Sequence, residues 1–193
     1  MEQIFLHTCC APCSIYPIKL LKENNLEPVC FWYNINIHPY TEYKKRKETL
    51  EEYTKQIGVE LVIEDDYGLM EFLTLIQSDY LNRCKNVCYT KRLERTAQVA
   101  KEKGFKKFST TLLVSPYQNT EALIEIGNQI AKKYDLEFIA LDFKAGFREG
   151  QREARRLGLY MQKYCGCIFS EAERYNRFKI QNQDFKEFIQ KYE

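Results

Sequence analysis

Five short apolar runs, each separated from the next by a stretch of helical periodicity, restrict this chain to an α/β fold built on a parallel sheet. The runs fall at residues 4–6, 28–33, 59–63, 108–114 and 138–141. The second is apolar almost throughout, as expected of a strand covered on both faces. Between them, Tyr43, Leu50, Tyr53 and Ile57 lie on one stripe of a helix that Pro39 opens and Gly58 closes. The turn Asp65-Asp66-Tyr67-Gly68 leads into a short apolar helix over 69–76. Leu93, Ala97 and Ala100 mark the inner face of a helix reaching Lys103 and ended by Gly104. Asn119 caps a helix carrying Leu123, Ile126, Ile130 and Tyr134. This order predicts a five-stranded parallel sheet with helices on both faces and right-handed crossovers. At 193 residues a single α/β domain over 1–193 is expected. A C-terminal helical extension begins near residue 170, and its last helix carries Phe185, Phe188, Ile189 and Tyr192.

The first strand runs directly into His7-Thr8-Cys9-Cys10-Ala11-Pro12-Cys13-Ser14, which places three cysteines in five positions. A helix over about 16–22 follows, with Pro17 in its first turn. Open α/β folds put their chemistry at this point, beyond the carboxyl end of a strand. A phosphate site would have glycines there, and none precedes Gly58. The turn therefore reads as a soft-metal or redox site. Eight cysteines are many for a reducing compartment, where structural disulfides seldom persist, so metal ligation or redox chemistry is expected of them. Cys30, inside the second apolar run, reads as core packing. No apolar run approaches the roughly 18 residues of a membrane span, and Glu2 stands where a secretory signal would be basic. A cytoplasmic protein with no membrane partner is expected.

The other seven cysteines form three groups: Cys9, Cys10 and Cys13; Cys84 and Cys88; Cys165 and Cys167. The first follows strand one and the third follows strand five, so a parallel sheet would bring both to one edge. Cys84 and Cys88 are four apart, about one helical turn. Adjacent Cys9 and Cys10 suit two metals, or two corners of one cluster, better than a single tetrahedral zinc. Four thiolates would hold a 4Fe-4S cluster and leave three cysteines over, which suggests a second centre. Cys165-Gly166-Cys167 has three readings. It is a strained, oxidising disulfide, a pair of ligands to a second metal, or two unrelated thiols.

The remaining polar candidates are Asp142, as a proton donor, metal ligand or simple turn residue, and His7, as a satisfied buried histidine. His38 carries little signal. The formal charge is +2, from 29 basic and 27 acidic residues, so any nucleic-acid surface must be a local patch. The basic runs 44–47 and 152–156, with Tyr160 and Tyr164 nearby, read either as phosphate-binding and base-stacking groups or as solvated helix faces.

Four segments together carry a family resemblance: the motif at 7–14, Arg-Cys…Cys-Tyr…Arg-Leu at 83–93, Phe-Ser-Thr-Thr-Leu-Leu-Val-Ser-Pro-Tyr at 108–117, and Lys-Tyr-Cys-Gly-Cys-Ile-Phe-Ser at 163–170. In order and in detail they resemble the epoxyqueuosine reductases of the QueH type. One departure is that the family pattern spaces its two middle cysteines by two residues, whereas three separate Cys84 from Cys88. The resemblance implies a Rossmann-like fold akin to the nucleotide alpha-hydrolase group. It implies a cobalamin-independent oxidoreductase that removes the epoxide oxygen of epoxyqueuosine in the anticodon loop of tRNA, the last step of queuosine synthesis, using an external electron donor. It also implies an iron-sulfur cluster, a 4Fe-4S centre carried onto Cys9, Cys10, Cys84 and Cys88. A second redox element, a disulfide or an additional mononuclear iron, falls on Cys165 and Cys167. Cys13 matches the motif too, and a role for it as a further metal ligand is inferred from the residues, not from the resemblance. Outside the enzyme class, an RNA-binding protein with a structural metal or cluster fits the same cysteines.

Overall fold

The computed structural model describes residues 1–77 and 79–175. Five parallel strands form one sheet: β1 (Glu2–His7), β2 (Leu26–Trp32), β3 (Leu61–Ile63), β4 (Lys107–Thr110) and β5 (Glu137–Phe138). Their spatial order is β3-β2-β1-β4-β5. The chain thus starts in the middle, winds outward one way, then returns to wind outward the other way. Right-handed crossovers send the helices of the two halves to opposite faces. α1 (Ala11–Glu23) packs on α2 (Tyr40–Gln56) and α6 (Phe147–Arg156), while α4 (Thr90–Glu102) packs on α5 (Thr120–Tyr134). α3 (Leu69–Ile76) and α7 (Ile168–Tyr175) complete the helices among the described residues. The expected α/β class with a five-stranded parallel sheet is therefore correct. The final helix expected around Phe185, Phe188, Ile189 and Tyr192 lies outside the described residues.

Ile4, Phe5 and Leu6 of the central strand are fully buried, and Phe5 stacks on Phe31 of β2 at 5.0 Å between ring centroids. Cys30 has no exposed surface and burial raises its pKa to about 12, which makes it an inert core residue. α2 presents Tyr43, Leu50 and Tyr53 to the interior, as the sequence stripe predicts. Asn119 caps α5 by accepting from Ala122 N at 3.0 Å.

Three boundaries differ from expectation, and each difference shapes the site. α1 begins at Ala11, not near residue 16, because Pro12 is tolerated in a first turn and Ser14 Oγ bonds back to Ala11 O at 2.8 Å. The cysteine turn is thus largely a helix N-terminus, and Pro17 lies inside the helix. β4 stops at Thr110, whose Oγ1 accepts from Leu112 N and caps a 3-10 turn over Thr111–Val114. β5 is only two residues long, and beyond it Ser109 Oγ holds Ile139 O at 2.6 Å.

Candidate active site

Strand order reverses at β1, so the carboxyl ends of β1 and β4 diverge and leave a crevice between them. Cys9 and Thr111 face each other across it. Thr111 Oγ1 accepts from Cys9 N at 3.2 Å and donates to Cys9 Sγ at 3.5 Å. Cys10 is the N-cap of α1 and Cys13 lies in its first turn, so the sulfurs of Cys9, Cys10 and Cys13 come within 4.8 Å of one another. Thiol protons from Cys10 and Cys13, then the Thr111 hydroxyl, hold the Cys9 pKa well below the usual thiol range. The positive end of α1 favours that charge as well. Cys10 is raised chiefly by burial, and Cys13 by giving its proton to its neighbours. The trio therefore concentrates thiolate character on Cys9.

Cys84 and Cys88 lie in a π-helical segment, Cys84–Tyr89, that runs into α4. A π turn is how a helix accommodates one extra residue without losing its axis. Burial raises Cys84 to about 11 and raises Cys88 further. The buried Arg92 guanidinium opposes that shift at both, and its Nε is fixed by Cys88 O at 2.8 Å. Arg83 ties this segment to α7 by donating to Glu173 at 2.6 Å.

Cys165 and Cys167 lie on an irregular loop that side chains, not a strand, hold in place. Arg46, 1% exposed, pairs with Glu42 at 2.7 Å and donates to Cys165 O at 2.7 Å and Tyr164 O at 3.0 Å. Gly166 O accepts from His38 N at 2.8 Å, and a side chain at Gly166 would press on Asn36 O at 3.2 Å. Gln118 Nε2 donates to Cys165 Sγ at 3.3 Å, its orientation set by Tyr89 OH, which donates to Gln118 Oε1 at 2.7 Å. Cys167 Sγ instead accepts from Ser170 N at 3.4 Å, in the manner of an N-cap before α7. All eight cysteines are free thiols. The disulfide reading of Cys165 and Cys167 is not realised, because the two sulfurs turn to different partners.

These pieces enclose a cavity of about 1190 Å³. Cys9, Cys13, Cys84, Cys88, Cys165 and Cys167 line it, with Cys10 directly behind, its sulfur 3.8 Å from that of Cys9. The three sequence groups thus meet at one place. Asp142 does not line the cavity. It is exposed, and its carboxylate accepts from Lys144 N at 3.1 Å, so it shapes a turn. His7 is a satisfied core histidine, with its ring nitrogens 2.9 Å from Thr110 Oγ1 and 3.2 Å from Tyr33 O. Because the second partner is a carbonyl, Nε2 carries the proton. Burial lowers its pKa to about 3. The hydroxyls of Tyr160 and Tyr164 bond Glu42 and His38 O, and the Arg46 guanidinium lies over the Tyr164 ring at 5.5 Å. Of the two basic runs, the first contributes Arg46 to the loop anchor, and the second places Arg152 and Arg155 on the cavity wall.

His38, which carried little signal in the sequence, is fully buried beside Phe72 and Tyr67, and burial lowers its pKa to about 4. Its unfolded value is near 6.5, so the unfolded chain takes up a proton that the native state refuses. Stability through His38 is complete above pH 6.5 and falls by up to about 1.4 kcal/mol per pH unit below it, down to about pH 4. Urea titrations at pH 7.5 and 5.5 should show a smaller acid loss for His38→Phe than for the parent; equal losses would mean that His38 titrates alike folded and unfolded.

The sequence matches the family Epoxyqueuosine reductase QueH over residues 4–173. The chain belongs to the QueH family. Among its relatives, the Epoxyqueuosine reductase QueH of Thermotoga maritima is 36% identical, covering 90% of this chain and 93% of that one. The protein of the same name from Dehalococcoides mccartyi is 32% identical, covering 91% and 96%. In structure the chain resembles a Methanocaldococcus jannaschii protein described as a predicted subunit of tRNA methyltransferase, with a TM-score of 0.50 and 14% identity over 79% of this chain and 74% of that one. That likeness speaks to the α/β fold.

As a QueH family member the chain offers a donor set made of soft sulfur, which suits iron-sulfur chemistry. The buried Cys9, Cys10 and Cys13 cluster could bind a metal. Around the cavity, Asn36, Arg83 and Gln162 each keep a buried polar atom that lacks a partner among the described residues. Polar atoms in that state fit a site built around a further group. No described helix is long and apolar enough to cross a membrane.

Proposed function

We propose that this protein deoxygenates the epoxide of epoxyqueuosine in tRNA to give queuosine, at the cavity where its seven clustered thiols meet. The supporting observation is that convergence itself: six cysteines line one cavity and the seventh touches it, at the crevice where related folds hold a nucleotide. Cys9, Cys10, Cys84 and Cys88 are the four thiolates for a 4Fe-4S cluster, which when bound supplies electrons singly. Cys13, Cys165 and Cys167 remain for an additional iron. The separate partners of Cys165 and Cys167 favour ligation over a disulfide.

Removing the oxygen as water takes two electrons and two protons, so the site must hold a second electron close to the first. Cys165 is the sulfur that substrate reaches, being exposed on the cavity wall while the other two remaining ligands are buried. Arg46 and Gln118 hold it in position from opposite ends, through its carbonyl and its sulfur. Arg92 stabilises the negative charge that collects on the thiolates. Asp142, spent on its turn, is not the proton source; solvent admitted by the open cavity supplies both protons. Free thiols and a tRNA substrate support a cytoplasmic setting, with electrons drawn from an external donor.

Iron and acid-labile sulfide on anaerobically purified protein test the cofactor. About four or five irons per chain with labile sulfide, and a visible band bleached by dithionite, are expected. Zinc without sulfide would support a structural-metal RNA-binding protein instead.

A further inference from the structure

We infer that the mouth of the cavity is a single-stranded RNA dock, in which Tyr117 stacks a base next to the reacting one while Arg148, Arg152 and Arg155 hold the phosphates. The inference rests on the tRNA reading of the site and adds the residues that would hold the loop.

Charge is the first observation. The chain as a whole is nearly balanced, yet eight arginines and lysines line the cavity against one carboxylate, Glu173, which Arg83 already pairs. Arg148, Arg152 and Arg155 are spaced four and three apart along α6, so they share one face, and all three are exposed and line the cavity. None has an ion pair or side-chain hydrogen bond among the described residues. Their neighbour Arg156, which does not line the cavity, is neutralised by Glu153. Unpaired guanidinium groups in a row are what a phosphate backbone requires.

The second observation is aromatic. Tyr117 is 86% exposed, an unusual state for a large ring, and it lines the same cavity. Its ring and that of Phe147, the first residue of α6, meet edge to face at 6.3 Å and 85°, a contact that props Tyr117 and leaves at least one of its faces open. The turn beneath it is fixed by Ser115, whose Oγ accepts from Tyr117 N at 3.3 Å. The next residue, Gln118, grips Cys165 Sγ. A base on Tyr117 is therefore one residue along the chain from the side chain that holds the exposed thiol. Tyr160 and Tyr164 are less exposed than Tyr117 and anchored by their hydroxyls to Glu42 and His38 O, and Arg46 lies over the Tyr164 ring at 5.5 Å. Aromatic faces beside a basic track are the recurrent means of holding unstacked nucleotides.

The probe is a fluorescently labelled, unmodified anticodon stem-loop RNA, titrated anaerobically into cofactor-loaded protein and read by anisotropy. Tyr117→Ala should weaken binding about tenfold or more, with Tyr117→Phe within about twofold of the parent. The Tyr117→Ala effect should vanish on a blunt duplex of the stem alone, which has no unstacked base. Arg152→Gln with Arg155→Gln should lower the slope of log affinity against log salt by about 1.4, at roughly 0.7 per phosphate contact. Equal binding by Tyr117→Ala and parent would overturn the stacking platform and leave the reductase reading standing. Failure of the parent to bind the hairpin would count against both. If the arginine variants keep their RNA affinity but lose reduction by an acidic redox protein, the mouth is a donor dock and the inference is wrong. Thermal unfolding of each variant should match the parent, because every substituted side chain is exposed.

Discussion

Cys165→Ser lowers turnover at least about a thousandfold, in kcat and kcat/KM together, while the iron, the sulfide and the visible spectrum of the main cluster stay. The size of the effect follows from position. Cys165 is the exposed member of the clustered thiols, and two separate elements hold it by carbonyl and by sulfur. The selectivity follows from the ligand sets, since Cys9, Cys10, Cys84 and Cys88 are untouched. Single-turnover assays on the reduced variant, with its absorption spectrum beside that of the parent, check both halves. Full activity would remove Cys165 from the chemistry, and loss of the whole spectrum would move it into the main cluster.

Arg46→Met costs about 3–5 kcal/mol of stability, because it leaves the Glu42 carboxylate buried without its counter-charge. Turnover falls as well, because the carbonyls of Tyr164 and Cys165 lose their donor. The two effects can be separated. In Arg46→Met with Glu42→Gln the buried charge is gone, while Tyr160 keeps a hydrogen-bond partner at residue 42. Most of the stability should return in that variant and the turnover should not. Recovery of both would show that Arg46 only balances Glu42 and does not position the thiol loop.

Much of this architecture is legible in the sequence because hydrophobic period and turn residues act locally. The apolar runs become strands in the expected order, and the stripe of Tyr43, Leu50 and Tyr53 is buried. The cysteine groups could be placed on one edge because parallel strands present their carboxyl ends together. What escaped was decided by contacts between distant residues. The cysteine turn is a helix N-terminus, because Pro12 is as acceptable there as in a loop. Arg46 sat in a basic run that read as either a phosphate-binding group or a solvated helix face. Yet it lies three residues after Tyr43 and four before Leu50, on the same buried stripe, and that spacing was the available signal. Gln118 and Thr111 left no such trace. Each depends on β4 ending at Thr110 and giving way to a 3-10 turn, which a long apolar run conceals. Asp142 follows the last strand, as catalytic carboxylates often do, but its side chain closes the local turn.

The most direct test is to give the anaerobically reduced protein a tRNA carrying epoxyqueuosine, then digest the tRNA and weigh its nucleosides. Epoxyqueuosine should disappear and queuosine, lighter by one oxygen, should appear in equal amount. If epoxyqueuosine persists unchanged beside protein with a full complement of reduced iron and labile sulfide, the thiol-lined cavity is not a reductase site.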